Sequence, residues 1–400
     1  MNSMSPIEHS ERILSLDVIR GFSLLGIFII NMISFHSPFL YFDPYTWWKT
    51  PEDAALYPWI DVLVQASFYP LFAMMFGYGL GIQQQRADMK GSSFYLFGIR
   101  RLLILLGIGC IHAFLIWSGD ILINYALFGL VLLIFMRMSG KRLLWLGGIL
   151  FLLPQLFFSI LLVLMTFADP TGVTHYTDIG ALQNSVSAYA SGNYASIMGQ
   201  RFQDWYVVNS PDNLIFLILS ILPMMIIGAG ASKLQLLEKV RTQKTTWMVI
   251  GGSTLATGIV IKSLPLFIES NFAYAYIQDF FGGPFLSVSY AIILSLLLLN
   301  EKIMNWSKPI ASVGKMSLTN YLMQSIIGTM IFYSYGFGMY GEVTLTTGTM
   351  LALGIYVIQV ILSEIWLSKF QYGPMEKLWR VLSYGRSTVG KREKNKTTKG

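Results

Sequence analysis

The chain has 400 residues, of which 54% are hydrophobic and 12% are charged, and its mean hydropathy is +0.56. A soluble domain carries roughly a quarter of its residues as charged side chains, so this composition excludes a water-soluble globular protein. The formal charge of +7 is dispersed among short polar segments and the C-terminal stretch, which favours a role in membrane orientation over nucleic-acid binding.

Ten apolar blocks follow one another along the chain, separated by polar stretches. A helix needs about 20 residues to cross the roughly 30 Å hydrocarbon core of a bilayer, and the blocks have about that length. The predicted fold class is therefore an all-α polytopic membrane protein with about ten transmembrane helices. The predicted spans are 18–36, 60–83, 101–117, 120–136, 143–167, 213–231, 246–263, 282–300, 316–334 and 345–367.

Lysine and arginine residues test this span count independently, because cytoplasmic loops of membrane proteins retain positive charge. If the N-terminus is cytoplasmic, all of the 28 basic residues except Lys49, Arg201 and Lys262 fall on the cytoplasmic side. A wrong span count would move every later loop and mix the two sides. We therefore predict that the N-terminus and the C-terminus are both cytoplasmic.

The longest polar segment, 168–212, falls on the outer side and separates two predicted five-helix halves, 1–167 and 213–385. This extracytoplasmic loop is either functional, as a helix on the outer surface or a cap over a cavity, or disordered. The C-terminal half includes an interfacial helix that begins near Pro374, and 386–400 is predicted to be a basic cytoplasmic tail.

The first predicted span carries Asp17, Arg20, Asn31 and His36. Asp17 and Arg20 are three residues apart, so they share one helical face and can form an ion pair at the cytoplasmic boundary. Asn31 follows Asp17 by fourteen residues, which places it about 40° from the same face and in the outer half of the membrane. The pair either fixes the depth of the helix or belongs to a site, and His36 either hydrogen-bonds water or takes part in chemistry.

The segment GIGCIHAFLIWSGDILINYALFG, which holds the third and fourth predicted helices, has more polar groups than a spanning hairpin needs. His112 and Asn124 fall at matching depth and can hydrogen-bond across the pair of helices. His112 is then either a neutral buried histidine or a proton-transferring group in a water-accessible cavity. Asp120 begins the fourth helix, where a carboxylate either caps the helix or orients a base. Asn320 and Gln324, in the ninth span, are expected to join helices.

Residues for metal or redox chemistry are scarce. Cys110 is the only cysteine and lies within an apolar block, which excludes an internal disulfide and a cysteine metal cluster. The sequence contains no HExxH zinc motif, no GxSxG elbow and no P-loop. We therefore predict no metal site and no required cofactor.

Five motifs, in this order along the chain, resemble a known family. They are RILSLDVIRGFSLLGIFIINM, YPLFAMMFGYGLGI, RRLLILLGIGCIHAFLIWSGDILINYALFG, GKMSLTNYLMQS and GPMEKLWR, and they extend over most of the sequence. They are similar to the YeiB-type proteins of the bacterial inner membrane, whose function is largely unknown. The resemblance implies a multi-pass protein of that membrane.

The LDVIRG start is also distantly similar to the first helix of transmembrane acyltransferases, both the lysosomal heparan-glucosaminide N-acetyltransferase type and the bacterial O-acyltransferase type. The O-acyltransferase pattern has a histidine fourteen residues after the aspartate, whereas the N-acetyltransferase type has asparagine there, as this chain does at Asn31. The histidines that this chain offers instead are His36 and His112. This resemblance implies acyl transfer, with an acyl-CoA as a possible donor.

The leading hypothesis is a membrane-embedded acyltransferase that moves an acyl group from a cytoplasmic acyl-CoA to an extracytoplasmic small molecule or envelope glycan. It predicts a polar tunnel from the inner arginines to the histidines. The candidate donor-binding residues are Asp17, Arg20, Asn31, Arg100 and Arg101, and the candidate catalytic residues are His112, Asp120, Asn124 and His36. The alternatives are a small-solute transporter or exporter, and a non-catalytic scaffold whose polar residues join helices. The lipid bilayer is the expected partner, nucleic acid is not, and the oligomeric state is left open.

Overall fold

A computed structural model describes residues 14–169, 177–268 and 271–384, and all regular secondary structure within these ranges is helical. The described α-helices are α1 (Leu14–His36), α2 (Pro44–Trp47), α3 (Pro51–Leu63), α4 (Phe68–Met89), α5 (Phe94–Ile111), α6 (Leu122–Phe135), α7 (Gly140–Ala168), α8 (Ile179–Val186), α9 (Tyr194–Asn209), α10 (Pro211–Lys233), α11 (Leu236–Lys239), α12 (Lys244–Lys262), α13 (Leu264–Phe267), α14 (Phe272–Tyr276), α15 (Gly283–Leu297), α16 (Glu301–Trp306), α17 (Lys308–Lys315), α18 (Ser317–Phe332), α19 (Leu345–Lys369) and α20 (Pro374–Tyr384).

Three described segments are wound as π-helical turns, in which each backbone bond encloses one residue more than in an α-helix. His112–Ile116 continues α5, Ser187–Ser191 continues α8, and Ile277–Gly282 joins α14 to α15. Turns of this kind are frequent at functional sites, because the extra residue redirects the side chains and frees backbone carbonyls.

Seven helical segments within the described ranges are long and apolar enough to cross a membrane, which indicates a multi-pass membrane protein. The seven segments are Leu14–His36, Pro51–Met89, Phe94–Ile116, Gly140–Ala168, Pro211–Lys233, Phe272–Leu297 and Leu345–Lys369.

The other three predicted spans also coincide with helices, but α6 and α18 have only 14 and 16 residues. At 1.5 Å per residue these helices are about 21 and 24 Å long, shorter than the bilayer core. The third, α12, has 19 residues but is more polar. The count of ten spans and the sides of the two ends therefore remain predictions.

The centre of the bundle is built on direct backbone contact between α4 and α10. A Cβ atom on Gly77 would lie 1.9 Å from the Met225 carbonyl oxygen, and one on Gly228 would lie 2.0 Å from that of Met74. Only glycine fits at both positions, and small residues of this kind let membrane helices approach closely. Around this pair, α10 packs against α7, and α1 lies between α4 and the C-terminal helices α17, α18 and α19.

The predicted outer loop contains α8 and α9, and α9 packs against α10 and against the π-helical turn His112–Ile116. The predicted interfacial helix is present as α20, which begins at Pro374 and packs against α5 and α18. The predicted basic tail, 386–400, lies outside the described residues.

A buried charged network joins four helical elements on one side of the bundle. Lys262, at the end of α12, is fully buried, and its Nζ lies 2.8 Å from Oδ1 of Asp279. Asp61 Oδ2 accepts hydrogen bonds from the Tyr45 hydroxyl and from Nε2 of Gln278, at 2.5 Å for the amide. Burying charges is costly in an apolar protein interior, so the lysine and the two carboxylates depend on one another.

We expect Lys262→Met to lower the free energy of unfolding by about 3 kcal/mol, because it leaves the partly buried Asp279 and the buried Asp61 without their counter-charge. The measurement is equilibrium unfolding in mixed detergent micelles, followed by circular dichroism. The double variant Lys262→Met/Asp279→Asn also removes the negative charge of Asp279. It should therefore recover part of the lost free energy of unfolding. Equal unfolding of the single and double variants would contradict this account of the network.

Candidate functional site

Three adjoining internal cavities lie along α1. The basic cavity, of about 150 Å³, begins at Asp17, and the central cavity, of about 210 Å³, extends to Asn31. The distal cavity, of about 140 Å³, continues from Asn31 to Ser37. From Asp17 to Ser37 the helix rises by about 30 Å, the thickness of a bilayer core, so the cavities together follow its whole length.

Four basic side chains line the basic cavity. Arg20 and Arg101 come from α1 and α5, Lys315 from α17 and Arg380 from α20. Arg20 Nη1 lies 3.5 Å from Oδ1 of Asp17, as their spacing predicts, and its Nη2 donates to the Met75 carbonyl at 3.3 Å. Two acidic residues share the cavity, so its lining carries an excess of positive charge.

Arg101 is held under α20 by Trp379. Its guanidinium carbon lies 3.6 Å from the centre of the Trp379 ring, a cation–π contact, and the indole N–H donates to the Arg101 carbonyl at 2.9 Å. Arg100 is exposed and faces a shallow groove on the outside of the bundle. The structure thus separates two neighbouring residues that the sequence hypothesis placed together, because adjacent positions on a helix point about 100° apart.

Glu376 closes the basic cavity by capping α18. Its Oε1 accepts the backbone N–H groups of Leu318 and Thr319 at 2.7 and 3.0 Å, and its Oε2 accepts the Thr319 hydroxyl at 2.6 Å. A carboxylate at the positive end of a helix is stabilised by these donors. The carboxylate of Glu376 is therefore engaged by the N-terminus of α18.

Ile27, Ile121 and Tyr321 line both the basic and the central cavity and form the wall between them. The Tyr321 hydroxyl accepts the Ile121 N–H and donates to the Gly119 carbonyl, both at 3.2 Å. This tyrosine from α18 therefore fixes the turn between α5 and α6.

The polar lining of the central cavity includes Asn31, Gln65, Asp120 and Asn124. Three of these four residues belong to the predicted site. The structure thus brings residues from α1 and from the α5–α6 turn to one cavity, although they are far apart in the sequence.

His112 and Asp120 form a buried pair beside the central cavity. Nδ1 of His112 lies 2.7 Å from Oδ1 of Asp120, and neither side chain has exposed surface. Asp120 Oδ2 accepts the Ile123 N–H at 2.7 Å, so the same carboxylate caps α6. In the tautomer whose Nδ1–H donates to this carboxylate, Nε2 is the acceptor atom of the ring, and it has no hydrogen-bond partner within the described residues.

His112 and Asn124 do not form the predicted hydrogen bond with each other, because each has a different partner. Asn124 Nδ2 donates instead to Oδ1 of Asn209 at the end of α9, at 3.0 Å. The π-helical turn changes the register at the end of α5, and Asp120 reaches the histidine across the short connection. Depth matching along two regular helices could not anticipate this turn.

His36 lies apart from the cavities. It is fully buried at the end of α1, and its ring packs against Trp48 and Phe332, with centroids 6.1 and 5.8 Å away. A Cβ on Gly348 would lie 2.6 Å from this ring, so α19 passes directly over it. Neither His36 nor His112 lines any of the three cavities described above.

The distal cavity contains a residue that the sequence hypothesis missed. Asp204, on α9, accepts the hydroxyls of Tyr41 and Tyr189 at 2.6 Å each and Nε2 of Gln200 at 2.7 Å. Burial raises the pKa of Asp204, while these three donors partly oppose the rise. Its only sequence signal was an acidic residue within the aromatic-rich part of the outer loop.

We expect Glu376→Ala to lower the free energy of unfolding by about 1 kcal/mol, because the first N–H groups of α18 lose their acceptor. Thermal unfolding in detergent, monitored by circular dichroism, measures the effect. Glu376→Gln keeps an acceptor oxygen at the same place and is the matched control, with a smaller loss expected. If both variants have the same unfolding temperature as the wild type, Glu376 does not stabilise α18 as a cap.

A family model described as a protein of unknown function (DUF418) matches residues 231–386. "Uncharacterized protein YxaH" of Bacillus subtilis (strain 168) is 34% identical, over 96% of this chain and 97% of that protein. "Uncharacterized 39.9 kDa protein in amylase 3'region" of Bacillus acidopullulyticus is 27% identical, over 96% and 97%. "Uncharacterized protein YeiB" of Escherichia coli (strain K12) is 29% identical, over 93% and 96%. These matches confirm the resemblance to YeiB-type proteins, and the chain belongs to the DUF418 family.

Proposed function

We propose that the protein is a membrane-embedded acyltransferase that transfers an acyl group from a cytoplasmic acyl-CoA to an acceptor on the other side of a bacterial inner membrane. The observation that carries the proposal is the buried His112–Asp120 pair beside a cavity that adjoins a second, basic cavity. An acid–base pair and an anion-binding site within one membrane path are the two parts that such a reaction needs.

The proposed topology has ten spans with both ends in the cytoplasm. It places the basic cavity on the cytoplasmic side, because Lys315 and Arg380 belong to segments that the distribution of positive charge assigns to that side. The distal cavity and α9 then face the outside. This arrangement matches the direction of transfer, with the donor entering from the cytoplasm and the acceptor from the outer side.

The donor would bind with its phosphates in the basic cavity. Arginine guanidinium groups recognise phosphate oxygens in pairs, and Arg20, Arg101 and Arg380 supply them from three helices. The acyl end of the donor would have to pass the wall of Ile27, Ile121 and Tyr321 to reach the central cavity. We therefore assign these wall residues the role of a gate.

In the proposed chemistry, Nε2 of His112 takes the proton of the acceptor hydroxyl or amine as that group attacks the thioester carbonyl. The carbon–sulfur bond then breaks, and the proton passes to the departing CoA thiolate. Asp120 holds the ring by Nδ1 and stabilises its cationic form during the reaction. The amides of Asn31 and Asn124 line the same cavity and would donate to the carbonyl oxygen as negative charge develops.

The buried position of His112 requires a small rearrangement on binding. The rings of Tyr321 and Trp117 lie 5.1 and 6.4 Å from its ring, measured between centroids, and cover it. Movement of one of these rings would open Nε2 to the central cavity, and catalytic contacts of this kind often tighten only in the substrate complex.

We expect His112→Gln and Asp120→Asn to reduce acyl transfer by about 10²–10⁴-fold, the usual contribution of a general base. The measurement is release of free CoA thiol by the purified full-length protein, given acetyl-CoA and an extract of bacterial envelope. His36→Gln is the matched control, because this equally buried histidine lies outside the cavities, and its rate should stay close to that of the wild type.

If well-folded protein releases no CoA thiol with several acyl donors, the proposal that it is an acyltransferase is refuted.

The second candidate function, a small-solute transporter, would then be the leading proposal. The observation that favours it is the break between α3 and α4, where Ala66 has a φ of 55° and lines the central cavity beside Gln65. Interrupted helices at the midplane are common in transporters. Flux across proteoliposomes without any covalent product would identify that activity.

A further inference from the structure

The π-helical turn that begins at His112 leaves several carbonyl groups without helical partners. The Trp117 N–H donates to the His112 carbonyl at 2.8 Å, and Trp117 itself is extended, with φ −157° and ψ 133°. The last carbonyls of any helix need hydrogen-bond donors from elsewhere, because no further turn supplies N–H groups. The structure therefore has to stabilise this turn from outside α5.

The helix α9 supplies the missing donors. Arg201 Nη1 donates to the Phe114 carbonyl at 3.2 Å, and the Tyr194 hydroxyl donates to the Leu115 carbonyl at 3.4 Å. The Phe114 ring also packs against Trp205 of α9, with ring centroids 5.2 Å apart. Two consecutive carbonyls of the turn are thus held by one helix of the outer loop.

Arg201 is an unusual residue for this position. It is fully buried, although it is one of the three basic residues that the predicted topology places outside the cytoplasm. Its guanidinium lies at the C-terminal, negative end of the helix formed by α5 and the π-helical turn, and the buried carboxylate of Asp204 follows it by three residues on α9. A buried arginine without such a purpose would be costly, so its place on this turn calls for a function.

We infer that Arg201 is a positioning residue for His112: through the Phe114 carbonyl it holds the π-helical turn that sets the His112 ring against Asp120. The importance of this role for catalysis rests on the proposed function. The contacts of Arg201 with the turn do not depend on that proposal. If the turn relaxed to an α-helical turn, the chain from Trp117 onward would rotate by about 100°. Asp120 would then move away from Nδ1 of His112.

The ionisable groups around His112 come from three elements. Asp120 bonds to its Nδ1 from the start of α6, and Tyr321 of α18 packs on its ring. Cys110 lies two residues before it on α5. Within the described residues, the hydrogen bonds of Arg201 include none to these groups, and its bond to the Phe114 carbonyl is the contact that links it to the turn.

The test is hydrogen–deuterium exchange at the C2 atom of each histidine ring, measured by mass spectrometry on the full-length protein in lipid nanodiscs without substrate. We expect Arg201→Gln to accelerate exchange at His112 by about five-fold, because the turn opens locally, while His36 keeps its wild-type rate. Arg201→Lys, which retains a charged donor, should restore most of the protection. Gln203→Ala changes an exposed residue of the same helix and should have no effect.

An unchanged His112 rate in Arg201→Gln would overturn the inference. Equal acceleration at His112 and His36 would also overturn it, because that pattern reports general loosening of the bundle. In the thiol-release assay, we expect Arg201→Gln to lower kcat with little change in KM for acetyl-CoA, and Arg201→Lys to recover it. A selective effect on His112 exchange in a protein that releases no thiol would refute acyl transfer and leave the positioning role standing.

Discussion

The carboxylate of Asp120 joins the end of α5 to the start of α6, because one oxygen accepts the His112 Nδ1–H and the other accepts the Ile123 N–H. Both bonds are short, and in a buried setting bonds to a charged oxygen are stronger than those between neutral groups. The turn between the two helices is also held by Tyr321 from α18 and by α9 from the outer loop. The orientation of the His112 ring, and with it the chemistry that we propose for the central cavity, depends on this carboxylate together with the contacts that hold the turn.

Charge is distributed unequally along the path that α1 follows. Basic side chains exceed acidic ones in the first cavity, and the acidic residue Glu376 is already engaged by the N-terminus of α18. The central and distal cavities each contain one carboxylate, Asp120 and Asp204, and no lysine or arginine lines them. The basic cavity is therefore the one of the three that attracts an anion, and the row of cavities has different charge at its two ends.

The parts of the site that the sequence predicts are those set by local spacing. Asp17 and Arg20 pair because they are three residues apart, and Asp120 caps α6 because it immediately precedes that helix. The hydrogen-bond partner of His112 could not be predicted from the sequence. The prediction compared the depths of residues in two regular helices, and a π-helical turn changes the register of one of them. Arg201 and Asp204 were equally hidden, since their contacts join segments distant in the chain and the outer loop has no apolar periodicity to reveal them.

The basic cavity has walls from both extremes of the described chain: α1 carries Asp17 and Arg20, and α20 contributes Trp379 and Arg380. During synthesis the first helix thus enters the membrane with its polar face incomplete, long before the helix that covers it is translated. The walls of the basic cavity are therefore complete only after α20 has been made and has packed against α5 and α18. A chain in which α20 has not docked would lack Trp379 and Arg380 from the wall of this cavity, and Arg101 would lose its cation–π partner.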